Sequence, residues 1–108
     1  MKPETSMKWE DALSRFRNAE ELWKGGKYKE AAVEADIAVW LACAAMMTLS
    51  DELKIPYLSQ RAKHYATTWS NRMKEKGYDE PKETFEQASI ALQRLSDELP
   101  ANTFPTLR

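Results

Sequence analysis

The sequence predicts an all-α protein, an antiparallel bundle of four helices in up-down order. Glycine is scarce, at three in 108 residues, and β-branched residues do not alternate with polar ones, which argues against strands. Apolar residues instead recur at helical spacing in four segments that glycine or proline separates. With 43% hydrophobic and 31% charged residues, the chain has the composition of one soluble globular domain. A pair of stacked helical hairpins is the alternative arrangement.

The first helix is predicted over residues 6–24. Thr5 or Ser6 can cap its start, and the pair Gly25-Gly26 ends it. One face carries an aromatic side chain at every seventh position, with small or aliphatic residues between them: Trp9, Phe16 and Trp23, with Ala12, Leu13 and Ala19. This spacing places the rings on one side of the helix, which is therefore predicted to be buried.

The second helix is predicted over residues 28–53, with Pro56 ending it. One face is almost entirely alanine: Ala31, Ala35, Ala38, Ala42 and Ala45, with Leu49. Because the turn between the first two helices is tight, they are predicted to be antiparallel neighbours, with large rings packed against small alanines. A second apolar face carries Val33, Ile37, Leu41, Ala44 and Met47. A helix that is apolar on several faces is predicted to be the central one.

The third and fourth helices are predicted over residues 57–76 and 80–99. The third begins after Pro56 and ends at Gly77. Its predicted buried residues are Leu58, Ala62, Tyr65, Trp69 and Met73, and those of the fourth are Phe85, Ala88, Leu92, Leu95 and Leu99. Residues 100–108 are predicted to be irregular, with Phe104 and Leu107 docking on the bundle or on a partner.

Charge and hydropathy favour a cytoplasmic protein that does not span a membrane. The net charge of −1 gives no overall attraction to nucleic acid or to an anionic membrane. The N-terminal segment lacks the apolar core of a signal peptide. The longest apolar run, residues 37–49, has 13 residues, whereas about 20 are needed to cross a bilayer. Cys43, the single cysteine, lies in this run and is predicted to be a buried, unreactive thiol.

The third helix carries the one local positive cluster of the sequence: Arg61, Lys63, His64, Arg72, Lys74 and Lys76. Tyr57, Tyr65 and Trp69 are nearby, and such mixtures of cations and aromatic rings bind single-stranded nucleic acid. The same rings are explained more simply as core residues. His64 is either a boundary residue or a general base and phosphate contact beside Arg61.

Asp36 is the one acidic residue at the edge of the apolar run in the second helix. One interpretation places it at the bundle boundary, paired with a cation of a neighbouring helix, because a lone buried carboxylate is costly. The candidate cations are Lys63, Arg61, Arg72 and Arg94. The other interpretation places Asp36 in the lining of a groove. One histidine and one cysteine provide no spacing suited to a metal, so no metal and no cofactor are expected.

The order of features resembles the HEPN domains. Trp9, the run Ala19-Glu20-Leu22, the turn Gly26-Tyr28-Ala31 and the alanine-rich second helix follow in the HEPN order. The segment GYDEPKETFEQASIALQRL, residues 77–95, is similar to the turn and last helix of those domains. Together these features cover most of residues 9–99, and they also resemble the small archaeal PaREP1-type proteins. The turn GKYKEA, residues 26–31, equally resembles a single tetratricopeptide hairpin, but no second copy is present.

The HEPN resemblance implies a four-helix bundle that often forms homodimers and, in many members, cleaves RNA or works with a nucleotidyltransferase. The nuclease members carry an arginine followed, four to six residues later, by a histidine. In this chain Arg61 is only three positions before His64. If residues 71–78 occupy the place of that motif, Asn71 stands at the arginine position and Lys76 at the histidine position, and only Tyr78 is retained.

The sequence therefore predicts a non-catalytic helical bundle that associates with itself, as a homodimer, or with a partner protein. The alternatives are binding of RNA or a nucleotide through the basic face of the third helix, and a degenerate ribonuclease. The candidate binding residues are Arg61, His64, Arg72, Lys76, Tyr78 and Asp36.

Overall fold

A computed structural model describes residues 2–100 and contains four helices. These are α1 (Pro3–Lys24), α2 (Tyr28–Leu53), α3 (Pro56–Glu75) and α4 (Pro81–Glu98), and no strand occurs within residues 2–100. The all-α prediction is confirmed, and the predicted boundaries of the last three helices are close to those observed. Phe104 and Leu107 lie outside the described residues.

The start of α1 differs from the prediction. The helix begins at Pro3, whose fixed φ suits a first helical turn, so neither Thr5 nor Ser6 is its cap. Thr5 is instead fully buried, and its hydroxyl donates to Glu52 Oε1 at 2.6 Å. The backbone N–H of Lys2 donates to the same oxygen at 2.9 Å. The start of α1 is thereby fastened to the end of α2, a long-range contact that local sequence does not reveal.

The contacts between α1 and α2 run in opposite order along the two helices. Lys8 donates to Thr48 at 3.1 Å near one end, and Arg15 pairs with Glu34 at 3.2 Å closer to the connecting turn. The turn itself depends on Gly26, which has a φ of 80°, a conformation that side chains with a Cβ rarely adopt. This turn places α1 beside α2, with Trp9 and Phe16 buried in the common core.

Helix α2 lies at the centre and packs against each of the other three helices. Its alanine face is completely buried, as are Val39, Met46 and Leu49: Ala31, Ala32, Ala35, Ala38, Ala42 and Ala45 each have 0% exposure. Small side chains let the neighbouring helices approach closely, so the volume of the core is supplied mainly by their larger residues. The prediction of a central second helix is confirmed.

The aromatic face of α1 does not meet alanine alone. Trp9 and Phe16 are buried, but Trp23 is only partly buried and contacts the edge of Tyr28, with ring centroids 4.4 Å apart. Phe85 of α4 stacks on Phe16 at 5.5 Å and on Trp23 at 5.0 Å. The backbones of α1 and α4 stay apart, and these rings fill the space between them.

Helix α2 ends without glycine. Lys54 adopts the left-handed conformation, with φ 56° and ψ 46°, at the position where many helices place glycine. The hydroxyl of Ser50 donates to the Ile55 carbonyl at 2.6 Å, and the Ile55 N–H donates back to the Ser50 carbonyl at 3.1 Å. Pro56 then opens α3. These two hydrogen bonds, one from a side chain and one from the backbone, fix the end of α2 with Lys54 in a costly conformation.

Helices α3 and α4 approach each other less closely than either approaches α2. At one end, Arg61 pairs with Glu98 at 3.1 Å, and at the other, Arg72 contacts Glu83 at 3.4 Å. Beside the second pair, the turn at Gly77 is held by the Thr84 hydroxyl, which donates to the Gly77 carbonyl at 3.1 Å. A gap remains between the two helices, and it positions the cavity described below.

By length and composition alone, α2 is long and apolar enough to cross a membrane. No other helix of residues 2–100 meets this criterion. Half of the most apolar window of α2 is buried against the rest of the protein. A core helix of a soluble protein meets the same criterion.

We expect Lys54→Gly to raise the free energy of unfolding by about 1 kcal/mol, because glycine adopts the left-handed conformation without the steric cost of a Cβ. Urea unfolding followed by circular dichroism measures the change. Lys24→Gly, a substitution inside the last turn of α1, is the matched control and should destabilise the protein. A loss of stability in Lys54→Gly as well would contradict the assignment of strain to this residue.

Candidate functional site

Asp36 joins three parts of the fold. The indole Nε1–H of Trp69, on α3, donates to Oδ1 at 2.6 Å, and the hydroxyl of Tyr78, in the turn after α3, donates to Oδ2 at 2.6 Å. The prediction of a cationic partner for Asp36 is therefore wrong, because each carboxylate oxygen accepts from a neutral donor instead. Hydrogen bonds to a charged acceptor are stronger than neutral ones, so this carboxylate fastens α3 and the following turn to α2.

Burial, followed by the hydrogen bond and the charge of Asp36, raises the pKa of Tyr78 to about 12. The hydroxyl therefore keeps its proton at neutral pH and acts as a donor. Tyr78 was a candidate binding residue from the HEPN resemblance, whereas the structure gives it a role in holding the fold. The indole of Trp69 was predicted only as a core ring, since its donor role depends on a residue 33 positions away.

Arg61 lies at the end of α3 that faces the end of α4. Its Nε donates to Glu98 Oε1 at 3.1 Å, and the hydroxyl of Tyr57 donates to the other oxygen of Glu98 at 2.9 Å. The guanidinium also lies 5.3 Å from the centre of the Tyr65 ring, within the range of a cation–π contact. This arginine is thus engaged with protein groups on several sides.

Arg72 and Lys76 share the carboxylate of Glu83 at the opposite end of α3. The ammonium of Lys76 is 3.1 Å from Oε1, and Nη1 of Arg72 is 3.4 Å from the same oxygen. A hydrogen bond with Glu80, followed by that with Lys76, lowers the pKa of Glu83 to about 2, so it is ionised at neutral pH. Three cations of the predicted basic face, Arg61 among them, therefore have carboxylate partners. Lys63, His64 and Lys74 remain exposed.

A cavity of about 130 Å³ lies between α3 and α4. Its polar lining comes from His64, Thr68 and Arg72 on α3 and from Gln87 and Arg94 on α4. Two of the predicted site residues, His64 and Arg72, are thus brought together here, whereas Arg61, Lys76, Tyr78 and Asp36 are not in the lining. Gln87 was not singled out from the sequence, and Arg94 was named only as a possible partner of Asp36, because both are ordinary polar residues on the outer side of an amphipathic helix.

Arg72 is the unusual member of this lining. Its side chain is only 16% exposed. Two of its nitrogens, Nε and Nη2, are shielded from solvent and have no acceptor among residues 2–100. A buried donor without an acceptor costs about 1–3 kcal/mol, and more when it is charged. Such a group marks either strain or a place for a ligand.

A second surface with functional potential runs along the outer side of α2. Trp40 is 42% exposed there, although tryptophan is usually well buried. Four partly buried apolar residues continue the same stripe, which we call the α2 stripe: Val33, Ile37, Ala44 and Met47. The second apolar face predicted from the sequence shares these four residues, but it contained Leu41 in place of Trp40.

Cys43 is 2% exposed, and burial raises the pKa of its thiol to about 12. A thiol with that pKa is protonated at neutral pH and is a poor nucleophile. The prediction that Cys43 is buried is confirmed. Within residues 2–100, no three His, Cys, Asp or Glu side chains are grouped so that they could hold a metal ion.

Comparisons with protein-family models, curated proteins and solved structures found no significant match to this chain. The likeness to HEPN domains therefore stays a prediction from the sequence.

We expect Tyr78→Phe to lower the free energy of unfolding by about 1–2 kcal/mol, because Asp36 loses one of its two donors. Tyr57→Phe removes a hydroxyl from an exposed hydrogen bond to Glu98 and should cost less. Chemical unfolding at pH 7 compares the two variants. Equal losses of stability would show that the hydrogen bond to Asp36 contributes no more to the free energy of unfolding than the hydrogen bond to Glu98 does.

The raised pKa of Tyr78 also predicts a pH dependence. Because the proton is held more tightly in the folded state, this stabilisation is complete below pH 10, the ordinary value of an unfolded tyrosine, and is lost as the pH rises toward 12. We expect the wild type to lose more stability between pH 10 and 12 than Tyr78→Phe does. Unfolding curves measured across that range provide the test, and parallel losses in both proteins would contradict it.

Proposed function

We propose that the protein acts by self-association, as a homodimer that pairs the α2 stripe of one chain with that of another. The observation that carries this proposal is the exposed Trp40 at the centre of a continuous apolar stripe on the helix that forms the core. A stripe with steps of three and four residues is also the pattern by which helices pair in coiled coils.

The α2 stripe is self-complementary in size about Trp40. If two copies run antiparallel about a two-fold axis at this residue, Val33 of one chain faces Met47 of the other, because each lies seven positions from Trp40. Ile37, three positions before Trp40, comes close to Ala44, four positions after it, a large side chain against a small one. A two-fold interface needs one patch that fits itself, and this stripe meets that requirement.

The stripe is also self-complementary in charge. Lys29 and Asp51 are exposed at its two ends, and each lies eleven positions from Trp40. Within one chain they are about 33 Å apart along the helix, too far for an ion pair. In the antiparallel dimer, Lys29 of each chain faces Asp51 of the other. Complementary charges at the rim fix the register of an interface more than they add affinity.

The scaffold that we propose for this dimer is an antiparallel up-down bundle of the HEPN-like kind, located in the cytoplasm. Contacts that run in opposite order between α1 and α2, and again between α3 and α4, support the antiparallel order. The HEPN resemblance of the sequence supports the homodimer.

We expect Trp40→Glu to convert the protein into a monomer, because it places two carboxylates against each other at the centre of the interface. Light scattering coupled to size-exclusion chromatography measures the mass. Met7→Glu is the matched control, since Met7 is 61% exposed on α1, outside the stripe, and should leave the dimer intact. A monomeric wild type at micromolar concentration would overturn the proposal.

A charge exchange tests the register. Lys29→Asp alone should weaken the dimer about two- to fivefold, because the new carboxylate then faces Asp51 of the other chain. Adding Asp51→Lys should restore the wild-type dissociation constant in sedimentation equilibrium. If the second substitution does not rescue the first, this antiparallel register is excluded. Dimerisation through Trp40 is tested separately, by the preceding experiment.

A further inference from the structure

The cavity between α3 and α4 combines positive charge with hydrogen-bond donors. His64, Thr68 and Arg72 follow one another at four-residue intervals and so lie along one line of α3. Gln87 and Arg94 face them from α4. Two guanidinium groups, an imidazole, a hydroxyl and an amide thus meet in one small space, and within the described chain no carboxylate lines it.

Arg72, in the lining of this cavity, has two nitrogens without a hydrogen-bond acceptor among residues 2–100. Its Nη1 makes a long contact of 3.4 Å with Glu83, and that carboxylate is shared with Lys76. Nε and Nη2 have no acceptor among residues 2–100 and are shielded from solvent. Arg72 itself lines the cavity, and its guanidinium has to rotate before these two donors reach a group held there. A guanidinium offers paired N–H groups that match the oxygens of phosphate or carboxylate.

Size limits what the cavity can hold. Its volume of about 130 Å³ corresponds to about four water molecules at roughly 30 Å³ each. Pockets for drug-sized ligands are larger, at about 300–1,000 Å³. A space of this size suits a small anion such as a tetrahedral oxyanion better than a drug-sized ligand.

We propose that the cavity between α3 and α4 binds a phosphate group, with Arg72 and Arg94 as its charged ligands and His64, Thr68 and Gln87 as further hydrogen-bonding groups. The phosphate comes either as the free ion or as the terminal phosphate of a mononucleotide. The site is independent of the α2 stripe, so the proposal does not rest on dimerisation.

Two acidic side chains that contact residues of the cavity lining are already engaged by hydrogen-bond donors. Glu83 is shared by Lys76 and Arg72, and Asp36 lies behind Trp69 and accepts hydrogen bonds from Trp69 and Tyr78. Arg94 is exposed on α4 and carries no carboxylate partner among the described residues. The lining therefore keeps a net positive charge available to an anion.

Titration with inorganic phosphate, followed by calorimetry and by the NMR signals of His64 and of the Gln87 side-chain amide, tests the proposal. Saturable binding with shifts at both residues is expected. Arg94→Glu should weaken it about tenfold or more, because a charged ligand is replaced by a repelling one. Lys63→Glu, the same charge change on an exposed residue of α3 outside the cavity, should change binding less than about twofold.

Arg72→Gln should also weaken phosphate binding about tenfold or more, with the fold checked by circular dichroism. If that variant does not fold, Arg94→Glu decides alone. Equal losses of phosphate affinity in Arg94→Glu and Lys63→Glu would overturn the proposal, because they would show that phosphate is attracted to the positive surface in general and not to the cavity. So would a titration in which His64 and Gln87 do not shift.

Three further probes identify the source of the phosphate. Adenosine should not bind, while adenosine monophosphate binding as tightly as free phosphate would assign the site to the phosphate group alone. Tighter binding of the monophosphate, still lost in Arg94→Glu, would assign it to a mononucleotide. A single-stranded RNA that binds more tightly than either, with an affinity lowered by Lys63→Glu and not by Arg94→Glu, would overturn the cavity in favour of the outer basic face of α3.

Discussion

The central position of α2 is the constraint on which the rest of the structure depends. Because its inward faces consist mainly of alanine, three other helices can pack closely around it. Alanine fills little space, so the large side chains must come from the surrounding helices, and their arrangement follows from that need. The stacking of Phe85 on Phe16 and Trp23 is one result, since these rings fill the space between α1 and α4 that alanine leaves.

Helix α2 packs against three other helices, and one side of it is left uncovered by them. The outer side of α2 carries the apolar stripe centred on Trp40, and a buried core gives no reason for a tryptophan at that place. The sequence is as apolar there as on the inward faces, which is why composition alone cannot separate core from interface. In the proposed dimer, the pairing of positions about Trp40, large against small and positive against negative, distinguishes the stripe from a chance apolar patch.

The second surface arises from the way α3 and α4 are held. Ion pairs at both ends, with Glu98 and with Glu83, fix the two helices while their middle parts stay apart. Asp36 holds α3 and the following turn to α2 from behind through Trp69 and Tyr78. Charges that looked like one extended basic face are thus divided. Some hold the fold, whereas His64 and Arg72 meet Arg94 of α4 around one small cavity. Because the cavity and the α2 stripe lie on different helices, separate substitutions test the proposed association and the proposed phosphate binding.

The sequence by itself determined the four helices, their breaks and the central place of α2, because helical periodicity and glycine or proline breaks are local signals. It also determined that Cys43 is buried. It located the start of α1 too late, since the burial of Thr5 depends on Glu52 at the far end of α2.

Only the tertiary structure decided which charged and polar groups meet. Asp36 accepts from Trp69 and Tyr78 although four cations were equally plausible on the sequence, and Arg94 joins His64 and Arg72 from another helix. These contacts between side chains of different helices depend on the rotation and spacing of whole helices. The sequence of one helix sets which residues share a face, but the packing of all four sets what that face touches.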